Sequence, residues 1–169
     1  ASVTYANTSE APSGAPRTIT FIANDGILDS TPAPATVNVT PVNDAPVVVA
    51  GHVLNYTENQ AATVSDAAIT LSDVDSANLT GATVQITGNY ANGQDVLGFV
   101  NQNGITGSFN AATGTLTLGG SASVANYQTA LDSVTYFNSS DNPSSLPRTV
   151  TVIATDGITP SIPVTGTIN

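Results

Sequence analysis

One internal duplication limits what this chain can fold into. Residues 3–38 recur as residues 134–169 at a constant offset of 131, without a gap, and 20 of the 36 aligned positions are identical. Self-similarity at a fixed period is the signature of a repeat architecture. We therefore expect one structural unit of 131 residues, and the chain of 169 residues is longer than one unit.

The period divides the chain into a partial and a nearly complete repeat. We predict that residues 1–42 are the C-terminal third of a preceding repeat, residues 43–46 are the inter-repeat linker, and residues 47–169 are a nearly complete repeat. We expect a longer tandem array, with residue 1 at an internal point of it. Two interpretations of the leading third stay open: it is an arbitrary piece of the array, or it completes a neighbouring molecule by donating strands.

The local sequence pattern is that of β-structure. Segments with alternating and β-branched residues, such as 82–87 and 149–154, are separated by clusters of Gly, Pro, Asn and Asp. Thr113 and Gly114 lie between Phe109 and Leu116 and predict a tight hairpin. Many short strands with turns between them predict an all-β sandwich.

A single segment departs from this pattern. Val124, Tyr127 and Leu131 are spaced by three and four residues, and Ser123 precedes them at the position of an N-cap. This spacing places the three apolar side chains on one face of a helix. We predict a short helix of about two turns between two strands.

Charge is scarce and mostly negative, which excludes several functions. Only 8% of the residues are charged, against about 25% in an ordinary globular chain. The two basic residues are Arg17 and Arg148, and we expect each to pair locally with an acid of its own copy, for instance Glu10 and Asp141. The absence of lysine excludes a Walker-type phosphate loop, Schiff-base chemistry and a lysine–asparagine crosslink.

The same composition limits the partners. With a net charge of −10, nucleic acids and anionic membranes are not expected as partners. No apolar run approaches the about 20 residues that cross a bilayer, so membrane insertion is not expected. There is no cysteine, and the single histidine, His52, is expected on a strand edge. No nucleophile–base arrangement is visible, and we predict that the chain is not an enzyme.

The placement of the acidic residues suggests a cation. Asp73 and Asp75 follow a predicted strand, and residues two apart in an extended segment point the same way. Calcium binds six to eight oxygens from carboxylates, Asn side chains and backbone carbonyls. The pair can bind one cation together, although Asp-rich turns also occur without any ligand.

Four short motifs resemble those of cadherin repeats. They are the F-I-A-N-D-G segment at 21–26, the V-T-P-V-N-D-A-P segment at 39–46, T-E-N at 57–59 and D-V-D at 73–75. The chain is more closely similar to the cadherin-like tandem repeats of giant secreted bacterial proteins, which are joined by V-N-D-A-P linkers. The resemblance extends over essentially the whole chain and implies a cadherin-like or immunoglobulin-like Greek-key sandwich.

The resemblance also implies calcium ions at the junctions between repeats. The implied ligands are side chains of the linker, the D-x-D pair, the A-x-D aspartate and the T-E-N glutamate: Asn43, Asp44, Asp73, Asp75, Asp156 and Glu58. Of these, Glu58 would serve the junction that follows Asn169. The linker has a single aspartate and the acidic D-R-E motif has no match, so fewer ions and a Kd on the order of 10⁻⁴–10⁻³ M are expected.

The function that follows is mechanical. We predict a structural, calcium-rigidified extender repeat of a large extracellular bacterial adhesin or cell-surface protein, whose partners are neighbouring repeats or copies of itself. Contacts with a cell surface or glycans are expected through other domains. A second interpretation is a subunit of an extracellular filament assembled by strand exchange between copies. A third is a carbohydrate-binding module, for which Tyr90 with Asn89, Asn92 and Asp95 is the cluster to test.

Overall fold

The computed structural model describes residues 2–169, which form two compact units. The first unit ends at Val42 and the second runs from Asn43 to Asn169. Residues 43–46, predicted as the linker, fall in the second unit, where Pro46 is buried.

The first unit contains a single antiparallel hairpin. Strand β1 (Arg17–Phe21) pairs with β2 (Ala33–Val37), and Arg17 lies opposite Val37. Most side chains of both strands are exposed.

The second unit contains the other strands and one helix. The strands are β3 (Val47–Val49), β4 (Val53–Leu54), β5 (Thr63–Val64), β6 (Thr70–Ser72), β7 (Asn78–Gly88), β8 (Asp95–Gly98), β9 (Thr106–Asn110), β10 (Thr115–Ser123), β11 (Thr135–Asn138), β12 (Arg148–Thr155) and β13 (Val164–Ile168). The helix α1 (Val124–Asp132) connects β10 to β11. The two-residue strand β5 and the strand β9 were not predicted as strands, because neither has a run of alternating β-branched residues.

The strands form a large sheet and two smaller sheets. The large sheet has the order β4-β13-β12-β7-β10-β9, the three-stranded sheet has the order β5-β11-β8, and β3 pairs with β6. All pairs are antiparallel except β13 with β4, which is parallel. The long strand β7 lies in the centre of the large sheet, between β12 and β10.

The core lies between the large sheet and a second layer made of the smaller sheets and α1. Alternate residues of β7, β10 and β12 are buried, which is the period expected for one face of a strand. From the other layer, Leu97, Tyr127 and Tyr136 are almost completely buried. The predicted all-β sandwich with one short helix is confirmed.

The predicted hairpin at Gly114 is present between β9 and β10. Asn110 pairs with Thr115, and Gly114 has a φ of 64°. A Cβ atom at Gly114 would lie 2.8 Å from the ring of Tyr90. Both the backbone conformation and this close contact therefore favour glycine.

The helix begins at the residue that the sequence indicates. The Oγ of Ser123 accepts the backbone N–H of Asn126 at 3.2 Å. Tyr127, Ala130 and Leu131 form the buried face of the helix. This capping bond satisfies one of the backbone donors that a helix leaves unpaired at its N-terminus.

We expect the change Ser123→Ala to lower the free energy of unfolding of the second unit by about 1 kcal/mol. Ser123→Gly should cost only a few tenths of a kcal/mol, since glycine is tolerated at an N-cap. The exposed neighbour Ser121 serves as a matched control for Ser→Ala. Urea denaturation followed by far-ultraviolet circular dichroism measures all three variants, and equal effects of Ser123→Ala and Ser121→Ala would contradict the role of the cap.

Candidate functional site

An Asp-rich turn directly follows strand β6. The Oδ1 of Asp73 accepts the backbone N–H of Asp75 at 3.2 Å and that of Ser76 at 2.8 Å. This is the local bonding that makes aspartate frequent in turns. The turn holds the two carboxylates of Asp73 and Asp75 close together.

Each of these two carboxylates keeps one buried oxygen without a hydrogen bond. Asp73 Oδ2 and Asp75 Oδ1 are shielded from solvent and have no hydrogen-bond partner among residues 2–169. The other oxygen of Asp75, Oδ2, accepts the backbone N–H of Asp44 at 3.0 Å. A buried carboxylate oxygen without a partner is costly, and a cation is one group that would compensate it.

The electrostatics of the turn agree with this geometry. Burial raises the pKa of Asp73 above its usual range, and the neighbouring carboxylate of Asp75 raises it further, although the N–H groups of Ser76 and Asp75 act in the opposite direction. The negative charge on Asp73 is therefore disfavoured. A divalent cation between the two side chains would reverse this effect.

A second polar contact joins the start of the second unit to the turn after β12. The Nδ2 of Asn43 donates to Asp156 Oδ2 at 2.7 Å. Asp156 Oδ1 accepts the backbone N–H groups of Ile158 and Thr159 at 2.7 and 2.8 Å. Burial raises the pKa of Asp156, but these bonds outweigh it and hold the pKa below its usual range.

Five of the six predicted ligands therefore lie in two hydrogen-bonded groups that share the linker. Asp44 contacts the Asp73–Asp75 turn, and Asn43 contacts Asp156. Within residues 2–169, no three Asp, Glu, His or Cys side chains converge on one point as a ready-made metal centre. A cation held here would take carboxylate oxygens from Asp73 and Asp75, and would need Asn or carbonyl oxygens or water for its other positions.

The sixth predicted ligand, Glu58, lies in a different part of the unit. It is exposed and lines a cleft that also includes Asn169. Tyr56, two residues before Glu58, donates its backbone N–H to the carbonyl of Asn169 at 2.9 Å. Glu58 is thus beside the last residue of the chain, and its assignment to a following junction stays a prediction.

A buried polar network was missed by the sequence reasoning. Asp95, at the start of β8, is only 1% exposed. Its Oδ1 accepts the hydroxyl of Tyr136 and the amide of Asn138, both at 2.6 Å. Its Oδ2 accepts the backbone N–H of Ala91 at 2.7 Å and the Nε of Arg148 at 3.3 Å.

This network shifts the pKa of both acidic groups in it. Burial raises the pKa of Asp95, but the hydrogen bonds from Tyr136, Ala91, Asn138 and Arg148 outweigh it and lower the pKa below its usual range. Burial and the bond to Asp95 raise the pKa of the Tyr136 phenol. Asp95 is therefore held as a carboxylate in the core.

The structure corrects two expectations about the arginines. The predicted pairing of Arg148 with Asp141 is wrong, because the guanidinium turns into the core and pairs with Asp95. The predicted pair of Arg17 and Glu10 is also absent from the part of the chain that the structure describes. Side chains along a strand alternate between the core and the solvent, and this alternation indicated the network in the sequence, because Asp95, Asn138 and Arg148 occupy the inward positions of their strands.

The same network affects the cluster that was named for carbohydrate binding. Its only acid, Asp95, is buried and bonded in the core. Its aromatic residue, Tyr90, is half-buried, and its hydroxyl donates to the carbonyl of Ala111. Asn89 and Asn92 are exposed. The four residues thus do not form one exposed polar platform.

Comparison with known proteins finds a partial similarity to Halomucin of Haloquadratum walsbyi (strain DSM 16790 / HBSQ001). The two are 37% identical over 92 residues, which cover 52% of this chain and 1% of Halomucin. The chain thus resembles a small part of a very long protein. No protein-family model and no solved structure matches the chain. Among residues 2–169, no helix has the length and apolar character needed to cross a membrane.

Proposed function

We propose that this chain is a structural repeat of a large extracellular surface protein, and that calcium stiffens it at the junction between repeats. The observation that favours this function is the pair of buried carboxylate oxygens without partners, Asp73 Oδ2 and Asp75 Oδ1. They lie in a turn whose neighbour, Asp44, belongs to the predicted linker. The cadherin-like motifs at these same positions support calcium as the ion.

Calcium would act by neutralising the charges that the fold brings together. Without an ion, the carboxylates of Asp73 and Asp75 repel each other, and this repulsion adds to the burial that raises the pKa of Asp73. With an ion, both carboxylates and the linker residues would be held in one arrangement. Because Asn43 and Asp44 directly follow Val42, an ion bound here would reduce the freedom of the chain between one repeat and the next.

The proposed location outside the cell has two supports. Halomucin, which resembles part of this chain, has a mucin name and is very long, in agreement with a surface protein built from many repeats. A weak site is sufficient there, because extracellular calcium modules work with a Kd of about 10⁻⁴–10⁻³ M. In this function the partners of the repeat are neighbouring repeats, and the chain has no catalytic role.

Calcium titration of the full chain tests this proposal. We expect heat of binding by isothermal titration calorimetry and a higher Tm in calcium than in chelator. At a calcium concentration about 100 times the Kd, the second unit should gain about 2.7 kcal/mol. For a unit of this size, this corresponds to a rise in Tm of about 5–10 °C.

Magnesium provides the matched control, since it requires a near-ideal octahedron and loses its waters reluctantly. We expect magnesium at the same concentration to raise the Tm much less than calcium. The absence of any heat on adding calcium, together with the same Tm in calcium and chelator, would show that the proposal is wrong.

A further inference from the structure

The backbone of Asp44, in the predicted linker, is held by a side chain on each side. Its N–H donates to Asp75 Oδ2 at 3.0 Å, and its carbonyl accepts the Nδ2 of Asn43 at 2.9 Å. Both backbone groups of this residue are therefore engaged by groups of the second unit. The position of Asp44 thus depends on the two side chains that hold it.

The side chain of Asn43 connects Asp44 to the turn after β12. Its Nδ2 donates to Asp156 Oδ2 at 2.7 Å as well as to the carbonyl of Asp44. We name these two hydrogen bonds the linker latch. A carbonyl and a carboxylate only accept hydrogen bonds, so the Asn43 atom between them is the amide nitrogen, which is a donor only. In this contact Asn43 does not act as a metal ligand.

Asp156 is occupied by hydrogen bonds at both of its oxygens. Its Oδ1 accepts two backbone N–H groups of its own turn, and its Oδ2 accepts Asn43. Asp73 and Asp75 differ from it, since each keeps one buried oxygen without a partner. The oxygens that an ion would compensate are therefore in the Asp73–Asp75 turn, whereas the carboxylate of Asp156 is used to hold the linker.

We propose that Asp156 is a positioning residue of the calcium site, which acts through Asn43 and is not itself a calcium ligand. Asp156 holds the amide of Asn43, and this amide holds the carbonyl of Asp44. The N–H of Asp44 in turn holds Oδ2 of Asp75, so that Oδ1 of Asp75 is left for the ion. Hydrogen bonds that orient a ligating carboxylate commonly change metal affinity by about 10–100-fold.

This inference rests on the proposed function, but the linker latch forms without an ion. Its hydrogen bonds join groups of the protein alone. We therefore expect Asp44 to be held in place before calcium binds, and calcium to act mainly on the carboxylates of Asp73 and Asp75. The linker would then be positioned by the latch and stiffened by the ion.

Two variants of the full chain separate a positioning residue from a ligand. Asp156→Asn keeps the Oδ1 acceptor of the turn but places an amide opposite the amide of Asn43, which opens the latch. Asn43→Asp also opens it, by placing two carboxylates together, yet it adds a carboxylate near the ion. If Asn43 and Asp156 were ligands, Asn43→Asp would bind calcium more tightly.

We expect each of these variants to raise the Kd for calcium, measured by isothermal titration calorimetry, by about 10-fold or more. The double variant Asn43→Asp with Asp156→Asn exchanges donor and acceptor and restores the hydrogen bond between the two side chains. It should bind calcium more tightly than either single variant.

Amide hydrogen exchange in chelator tests the linker latch without the ion. We expect Asp156→Asn to speed exchange at the amide of Asp44 by at least about tenfold, while β7 and β12 stay protected. Asp25→Asn is the matched control, because Asp25 makes the same two turn bonds in the first unit. It should change neither the exchange at Asp44 nor the Kd for calcium.

The outcomes distinguish this inference from the proposed function. If the parent chain binds calcium, then tighter or unchanged binding by Asn43→Asp, or unchanged exchange at Asp44 in Asp156→Asn, would overturn the positioning role alone. A parent chain that binds no calcium would overturn the proposed function and the positioning role together, whereas faster exchange at Asp44 in Asp156→Asn would still support the latch.

Discussion

Replacement of Asp95 by alanine is expected to destabilise the second unit by about 3–5 kcal/mol. Asp95 is 1% exposed, and its carboxylate bonds to Arg148, Tyr136 and Asn138. Its removal leaves a buried guanidinium without an acid, and a phenol and an amide without their acceptor. The ion pair of Asp95 and Arg148 itself need not add 3–5 kcal/mol to the stability, since most of the cost of the replacement comes from the buried guanidinium of Arg148 that is left unpaired.

Guanidinium chloride denaturation of the full chain, followed by tyrosine fluorescence, measures this effect. The duplication supplies a matched control: Arg148→Met removes the buried partner, and Arg17→Met removes the same residue in the same local sequence but without Asp95. We expect Arg148→Met to lower the free energy of unfolding of the second unit clearly and Arg17→Met to leave it unchanged. A cost below about 1 kcal/mol for Asp95→Ala would contradict the structural role of the network.

The same network predicts a response to acid. The folded-state pKa of Asp95 lies below its ordinary value. Its contribution to the free energy of unfolding is therefore present above the unfolded-state pKa of about 3.9 and is lost as the pH falls through the folded-state pKa. We expect the second unit to lose stability below about pH 4 and the variant Asp95→Asn to lose less of it over the same range.

Replacement of Asp73 by asparagine is expected to act in opposite directions with and without calcium. In chelator, the variant should be as stable as the parent or more stable by several degrees in Tm, because it removes one of two repelling carboxylates. Asparagine keeps the Oδ1 acceptor for the N–H groups of Asp75 and Ser76, and its amide can donate to the unpartnered oxygen of Asp75. In calcium, the variant should lose most of the rise of about 5–10 °C expected for the parent.

The pH dependence of this site has the opposite sign to that of Asp95. The folded-state pKa of Asp73 is raised. In the calcium-free chain, the contribution of Asp73 to the free energy of unfolding is therefore fully present below the ordinary pKa of aspartate, and it is lost as the pH rises through the raised pKa. Calcium needs the ionised carboxylate, so its affinity should fall over the same range as the pH is lowered.

Thermal melting at several pH values, with and without calcium, measures both trends at Asp73. The exposed Asp141→Asn, which removes one negative charge away from the turn, is the control for net charge. A variant Asp73→Asn that is less stable than the parent in chelator, yet keeps its full response to calcium, would contradict the role of the carboxylate pair.

Local patterns were sufficient for much of this molecule. Alternation and turn residues predicted the sandwich, and the spacing of three apolar residues after Ser123 predicted the helix. The duplication predicted that two segments share a structure, and both hairpins have the same register and the same turn. The Asp73 turn was also predictable from the local sequence, because its hydrogen bonds join residues only two and three positions apart.

Tertiary structure decided which distant groups meet. Arg148 pairs with Asp95, 53 positions away, instead of with the nearby Asp141, and Asn43 reaches Asp156 across 113 positions. Contacts of this kind depend on the order and register of strands in the sheets, which no local pattern specifies. The clearest case is the duplicated segment itself: two segments that share 20 of 36 residues form the same hairpin, and contacts with β7, β4 and Asp95 make the second copy part of a core.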